Sequence, residues 1–300
     1  MTNRTAHHAD HMKATSTDYY AQDTLNEHMC GDIWWGMPTF GLLPLSTAIA
    51  IVVTPACDLD NCKTETLTYL PCVPVETYFS TSPIARRVKG ELRQLIGQKH
   101  LSEFIPPLLN DDTLALTAHE AGKLDTLLAR HGAALGEPRV KKIADALALL
   151  KCITEGSLPD DIVLFKSVFG RNASKLIEDI VRNNRPDTHF LPKDLQPVEY
   201  GVMPAHSVIL FRYPVTVPME LIEGIDYNAG SAWKSAFRSR AFLTASLAMF
   251  DEKPPIKRGR VREPFMKDII TRYVASFGRL GSPDFSPQLV SDIRSEIEAS

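Results

Sequence analysis

The sequence predicts an α+β protein: an SH3-like or otherwise bent β-barrel with a helical insertion and a C-terminal helical cap. Three observations carry this prediction. Short β-branched runs broken by proline and glycine occupy residues 30–80 and recur over 196–250, the pattern of a small barrel or a bent sheet. Between them, residues 82–185 place apolar side chains at three- and four-residue spacing, the period of amphipathic helices. After Pro254-Pro255, residues 256–300 open on a basic run and continue as a further amphipathic stripe.

Bulk properties set the bounds. The chain has 300 residues, enough for one large core or two smaller ones. No apolar run reaches the roughly 18–20 residues of a membrane span; the longest, Leu42 to Thr54, is interrupted by Pro44 and Ser46. The first twenty residues are polar, carry His7, His8 and His11, and lack the apolar segment of a signal peptide, so a solvated tail and cytoplasmic residence are expected. Five cysteines at uneven spacing do not make a disulfide framework in a chain this long.

In chain order, Gly31 to Gly36 reads as the first strand and the β-branched run Ala48 to Thr54 as a strand buried on both faces. Thr66 to Tyr69 and Val73 to Phe79 read as further strands, with Pro71 and Pro74 at edges or kinks. Ser82-Pro83 caps a helix over Ile84 to His100. Helices are expected over Thr113 to His131, over Pro138 to Ile153, and from Leu158 through Phe165, Phe169, Leu176 and Ile180. Strands return at Val198 to Val202, Ser207 to Phe211 and Val215 to Leu221, while Ala232 to Phe250 fits neither template. Pro264 opens a helix with Phe265, Ile269, Tyr273 and Phe277 on one stripe, and Gln288 to Ala299 reads as a short closing helix.

The strand ending at Thr54 delivers Cys57, Asp58, Asp60, Cys62 and Lys63 in quick succession. In extended chain, Asp58 and Asp60 would share a face, and beside Lys63 they could hold Mg²⁺ against a phosphate. The same acidic stretch is equally suited to a turn. Cys57 and Cys62 have the spacing of one half of a Zn²⁺ site, for which Cys30 and Cys72 would complete the set; the alternative is that these thiols are small buried hydrophobes. A nucleophilic Cys57 would need a base, with His206 or His189 as the candidates.

A basic surface is the second signal. Between Trp233 and Arg279 lie eleven basic and four acidic residues, +7 locally in a chain of −3, so the remainder carries −10. Lys257, Arg258, Arg260, Arg262, Arg272 and Arg279, with Trp233, Phe237, Phe265 and Tyr273 interleaved, are the residues expected to contact phosphates and bases or an acidic protein partner.

Three segments carry a resemblance: Val53-Thr54-Pro55-Ala56-Cys57-Asp58-Leu59, Phe190-Leu191-Pro192, and Glu263-Pro264-Phe265 through Arg279-Leu280-Gly281-Ser282-Pro283. Together they are similar to an uncharacterised group of bacterial proteins with a Cys-Asp-hydrophobic motif after a central strand and a C-terminal Arg-x-Gly-x-Pro signature. That resemblance implies an accessory role linked to antiphage defence. Gly31-Asp32-Ile33, followed some twenty residues later by Val52-Val53-Thr54, resembles the start of MazF/PemK-type toxins, RNA-cutting SH3-like barrels. No arginine stands just ahead of the strand where the toxin pattern places one, so the resemblance implies the barrel more than the ribonuclease.

The resulting expectation is a bacterial cytoplasmic binding or sensing module that contacts nucleic acid. One alternative is a metal-dependent or MazF-like nuclease using Asp58, Asp60 and Lys63, assisted by Thr54 and Arg212. Another is a non-catalytic subunit of a larger complex. Zn²⁺ and Mg²⁺ are the candidate cofactors.

Overall fold

The computed structural model describes residues 18–22, 27–43, 45–60, 63–97, 118–155, 162–197, 200–226 and 254–278. Among them, one antiparallel sheet is built from β1 (Tyr20–Ala21), β2 (Asp32–Pro38), β3 (Thr47–Val52), β4 (Thr66–Pro74), β5 (Thr188–Leu191), β6 (Ser207–Leu210), β7 (Val215–Pro218) and β8 (Ile256–Val261). The order is β1-β8-β2-β3-β4-β6-β5, and β7 pairs with the first half of β4. The helices are α1 (Ala56–Asp60), α2 (Val75–Tyr78), α3 (Ser82–Gly97), α4 (Ala118–Leu135), α5 (Glu137–Glu155), α6 (Val163–Phe169), α7 (Arg171–Val181), α8 (Met219–Asp226) and α9 (Glu263–Phe277).

The fold mixes helix and sheet, as expected, but the sheet is open. β1 and β5 are its end strands, so these residues do not close the expected barrel. Apolar packing explains why closure is not required: both faces are covered. On β3, Ala50 and Val52 belong to one cluster with Trp34, Leu67, Tyr69 and Val217, while Ile51 and Val53 face the opposite side with Leu70, Cys72, Ile209 and Val261. The uninterrupted β-branched run of β3 therefore follows from a two-sided burial that in this case serves an antiparallel strand. α9 covers the second face through Met266 and Ile269. α3, α5, α6 and α7 pack over the first face near Val73, Val208 and Leu210. These helices come between β4 and β5 in the chain, although β4 and β6 are neighbours in the sheet.

Several elements differ from the sequence reading. Val73 to Phe79 turns from strand into α2 at Val75, because a short apolar run has no periodicity to separate the two. The helix expected from Leu158 onward becomes α6 and α7, divided at Gly170, whose φ of +52° suits glycine. Val215 to Leu221 is strand only to Pro218, after which α8 begins. The basic run Lys257 to Arg262, expected in a helical cap, is instead strand β8, inserted between β1 and β2; only α9 beyond it is helical. Tyr20–Ala21, at the edge of the expected tail, is the end strand β1. Segments 232–250 and 288–299 lie outside the described residues.

Gly259 is the tightest point of this insertion. A Cβ there would sit 2.5 Å from the Ala21 carbonyl oxygen and 2.9 Å from a Val202 methyl. Gly259→Ala is therefore expected to push β1 off the sheet and cost about 1–3 kcal/mol, the usual range for overpacking. A urea midpoint shift reads this; an unchanged midpoint would show that β1 contributes nothing to stability.

Candidate functional site

The Cys57-Asp58 corner is a compact turn. Val53 N–H donates to the Thr68 carbonyl at 2.9 Å, and the Thr54 hydroxyl accepts from Thr68 N–H at 2.7 Å, so Thr54 extends the β3–β4 ladder with its side chain. Pro55 then starts α1: Asp58 and Leu59 N–H groups donate to its carbonyl at 3.1 and 3.2 Å, and Lys63 N–H returns to the Asp58 carbonyl at 3.0 Å. Buried Leu59 anchors the turn in the apolar cluster. Cys57 is exposed, and its thiol lies 3.6 Å from an Asp58 carboxylate oxygen.

The helix changes what the carboxylates can do. Positions two apart on a helix are about 200° apart around its axis, so Asp58 and Asp60 do not share the face that an extended chain would give them. Arg212, the proposed assistant, lies over the Phe277 ring at 5.8 Å. His206 Nδ1 accepts from Lys193 N–H at 2.9 Å, and its ring stacks on Phe190. His189 stands on β5, three strand spacings from β3 (about 14 Å), and cannot serve Cys57 as a base.

The cysteines are similarly dispersed. Cys72 is fully buried between strands, and burial drives its thiol far above the ordinary range. Burial, with the Asp32 charge adding to it, pushes the Cys30 thiol up to about 11 despite nearby Arg260. Thiolate ligands require the opposite shift. Cys62 lies outside the described residues, and among these residues no group of three His, Cys, Asp or Glu side chains is arranged to hold a metal ion.

The basic residues of β8 turn inward to an acid that sequence reading left aside. Asp32, fully buried on β2, pairs with Lys257 Nζ at 2.8 Å and with Arg260 Nε at 2.7 Å, and also accepts from Met29 N–H at 2.9 Å. Lys257 also donates to the Glu27 carbonyl. Arg262 Nε donates to the Tyr20 carbonyl at 2.9 Å. Arg272, from α9, donates to the carbonyls of Asn183, Arg185 and Thr188 at 2.6, 2.8 and 3.3 Å, joining the helix to the start of β5. Each of these cations thus fastens one segment of the chain to another. Arg279 lies outside the described residues.

Arg258 is placed differently. Its guanidinium carbon lies 4.4 Å from the Trp35 ring centre, a cation–π contact. The loop after β5 holds both partners: Trp35 Nε1 donates to the Val202 carbonyl at 2.8 Å, and Arg258 reaches the Gly201 carbonyl at 3.5 Å. Buried Asp194 shapes that loop by accepting from Val202 N–H at 2.8 Å and Gln196 N–H at 3.2 Å. Tyr20 ties it to β1 through the Pro192 carbonyl at 2.6 Å. The same loop presents Tyr200, the residue before Gly201, to solvent at 72% exposure.

A concave feature lies in the helical block. Between α3 and α7 is a cleft of about 320 Å³ with Arg87, Gly90 and Glu91 on one wall and Lys175 and Asp179 on the other. The sequence carried one hint of it: Gly90 in the middle of an otherwise strong helix.

No protein-family model, curated protein sequence or solved structure matches this chain.

Proposed function

We propose that this chain is a cytoplasmic binding module for single-stranded nucleic acid, with the shelf of Trp35, Arg258 and Tyr200 as its contact surface. The observation that supports this reading is the Arg258 guanidinium stacked on Trp35 and reaching the Gly201 carbonyl of the loop that carries exposed Tyr200. Exposed aromatic faces with an adjacent cation accept bases by stacking, without reading their edges, while neighbouring positive charge attracts the backbone. A buried aspartate organises the backbone of the loop that carries Tyr200, so part of the ordering cost of that loop is met before a ligand arrives.

The test is filter retention of labelled oligo(U) and oligo(dT) by the full chain at rising salt. Retention should fall with salt, and Tyr200→Ala should weaken it roughly tenfold or more with unchanged circular dichroism. Absence of salt-sensitive retention would overturn the reading and leave a protein-complex subunit as its successor. Cleavage of the oligonucleotide that disappears in Asp58→Ala would instead assign nuclease chemistry to the α1 turn.

A further inference from the structure

α9 is apolar over a wider arc than the sheet beneath it needs. Met266 and Ile269 are buried in the cluster on the second face, and Tyr273 packs against that cluster. At about 100° per residue, Ile270, Val274 and Phe277 fall together on the neighbouring flank, roughly a quarter-turn round the helix from the buried side. Ile270 is half-buried, while Val274 is 60% and Phe277 47% exposed. The Phe277 ring stands edge-on to Tyr273 at 5.2 Å, and Arg212 lies over it. A lone exposed valine is ordinary, but apolar residues three and four apart form a seam that a second helix can cover.

The chain beyond α9 carries the matching pattern in its sequence. Residues 279–300 lie outside the described residues. On a helix, Leu289, Val290, Ile293 and Ile297 fall within an arc of about 100°, with the charged residues of the segment outside it. Ser286-Pro287 stands just ahead of them, the same pair that opens α3 at Ser82-Pro83. A helix over 287–299 would be about 20 Å long, against about 22 Å for the 15 residues of α9. The connection, residues 279–286, contains Gly281 and Pro283 and has an ordinary length for joining antiparallel helices.

Spacing selects the orientation. On α9 the stripe steps by four and then three, from Ile270 to Val274 to Phe277; in the later segment it steps by three and then four, from Val290 to Ile293 to Ile297. Run antiparallel, the two patterns coincide: Val290 meets Phe277, Ile293 meets Val274 and Ile297 meets Ile270. A parallel arrangement leaves them out of step. The antiparallel one also brings Glu296 and Glu298 towards the end of α9 that carries exposed Lys267.

We propose that the outer flank of α9 is a docking face for the chain's own C-terminal segment, with residues 287–299 lying antiparallel along it as an amphipathic helix. The inference does not depend on the nucleic-acid reading, because the shelf and this flank share no residue.

Hydrogen exchange of the full chain, followed peptide by peptide, tests it. Residues 287–299 should exchange about tenfold or more slowly than the same sequence as a free peptide. Val274→Lys keeps a good helix former at an exposed position of α9, and it should return the segment to the free-peptide rate. Ile293→Glu should do the same, with exchange in β2 and β8 unchanged in both variants. A free-peptide rate in the parent, or protection that survives Val274→Lys, would overturn the proposal. So would a parent dimer in sedimentation velocity that Val274→Lys converts to monomer, because the flank would then belong to a second copy.

Discussion

Asp32→Ala is expected to destabilise the protein by about 3–5 kcal/mol, the usual consequence of removing one partner from a buried ion pair. The carboxylate neutralises Lys257 and Arg260 inside the protein, with the Asp32 and Lys257 side chains almost wholly out of water. Without it, two positive charges remain in a low-dielectric environment, and β8 has no counter-charge from β2. Isothermal urea denaturation measures the loss. The combined substitution Asp32→Leu, Lys257→Met and Arg260→Leu should recover most of it, because no uncompensated charge is left behind. A midpoint within experimental error of the parent after Asp32→Ala alone would show that the triad is not what joins β8 to β2.

Acid should unfold the chain through His189. The imidazole is 1% exposed, neither ring nitrogen makes a hydrogen bond, and its pKa is lowered to about 4 by burial and then by the Arg272 charge. Asp268 lies 3.6 Å from Nδ1, but that carboxylate is largely solvated and the ring is neutral at pH 7, so the contact is not an ion pair. In the unfolded chain the group titrates near 6.5. The folded value is the lower one, so the unfolded state binds the proton more tightly. This contribution is fully present above about pH 6.5 and is lost as pH falls from there through 4. The loss amounts to about 3 kcal/mol across that window. His189→Leu should flatten the stability profile between pH 6.5 and 4, whereas a slope that survives the substitution would assign acid sensitivity to other groups.

Much of the architecture was legible in the sequence. β3 was evident because two-sided burial writes an unbroken apolar run, α3 because Ser82-Pro83 marks its start, and α5 and α9 because each has a one-sided apolar stripe. β8 was hidden for a physical reason. Arginine and lysine in a strand resemble solvated charge unless their partner is known, and the carboxylate that neutralises them lies 228 positions away from Arg260. The same blindness affected the site. Asp58 and Asp60 share a face only on the period of an extended chain; the turn that the same acidic stretch equally suits is what Pro55 begins there. The α3–α7 cleft left a single trace in the sequence, Gly90 inside α3, because the spacing of two helices creates it and neither helix contains it.

The position of β8 also bears on how the sheet is made. Its two neighbours, β1 and β2, come from the first forty residues, whereas β8 itself begins at Ile256. Until that segment has been synthesised, β2 presents an unsatisfied backbone edge and a carboxylate without counter-charges, a state open to mispairing with other chains. Completion of this end of the molecule is therefore a late event in biosynthesis. A ribosome stalled upstream of residue 256 would release a product that chaperones should recognise as unfinished.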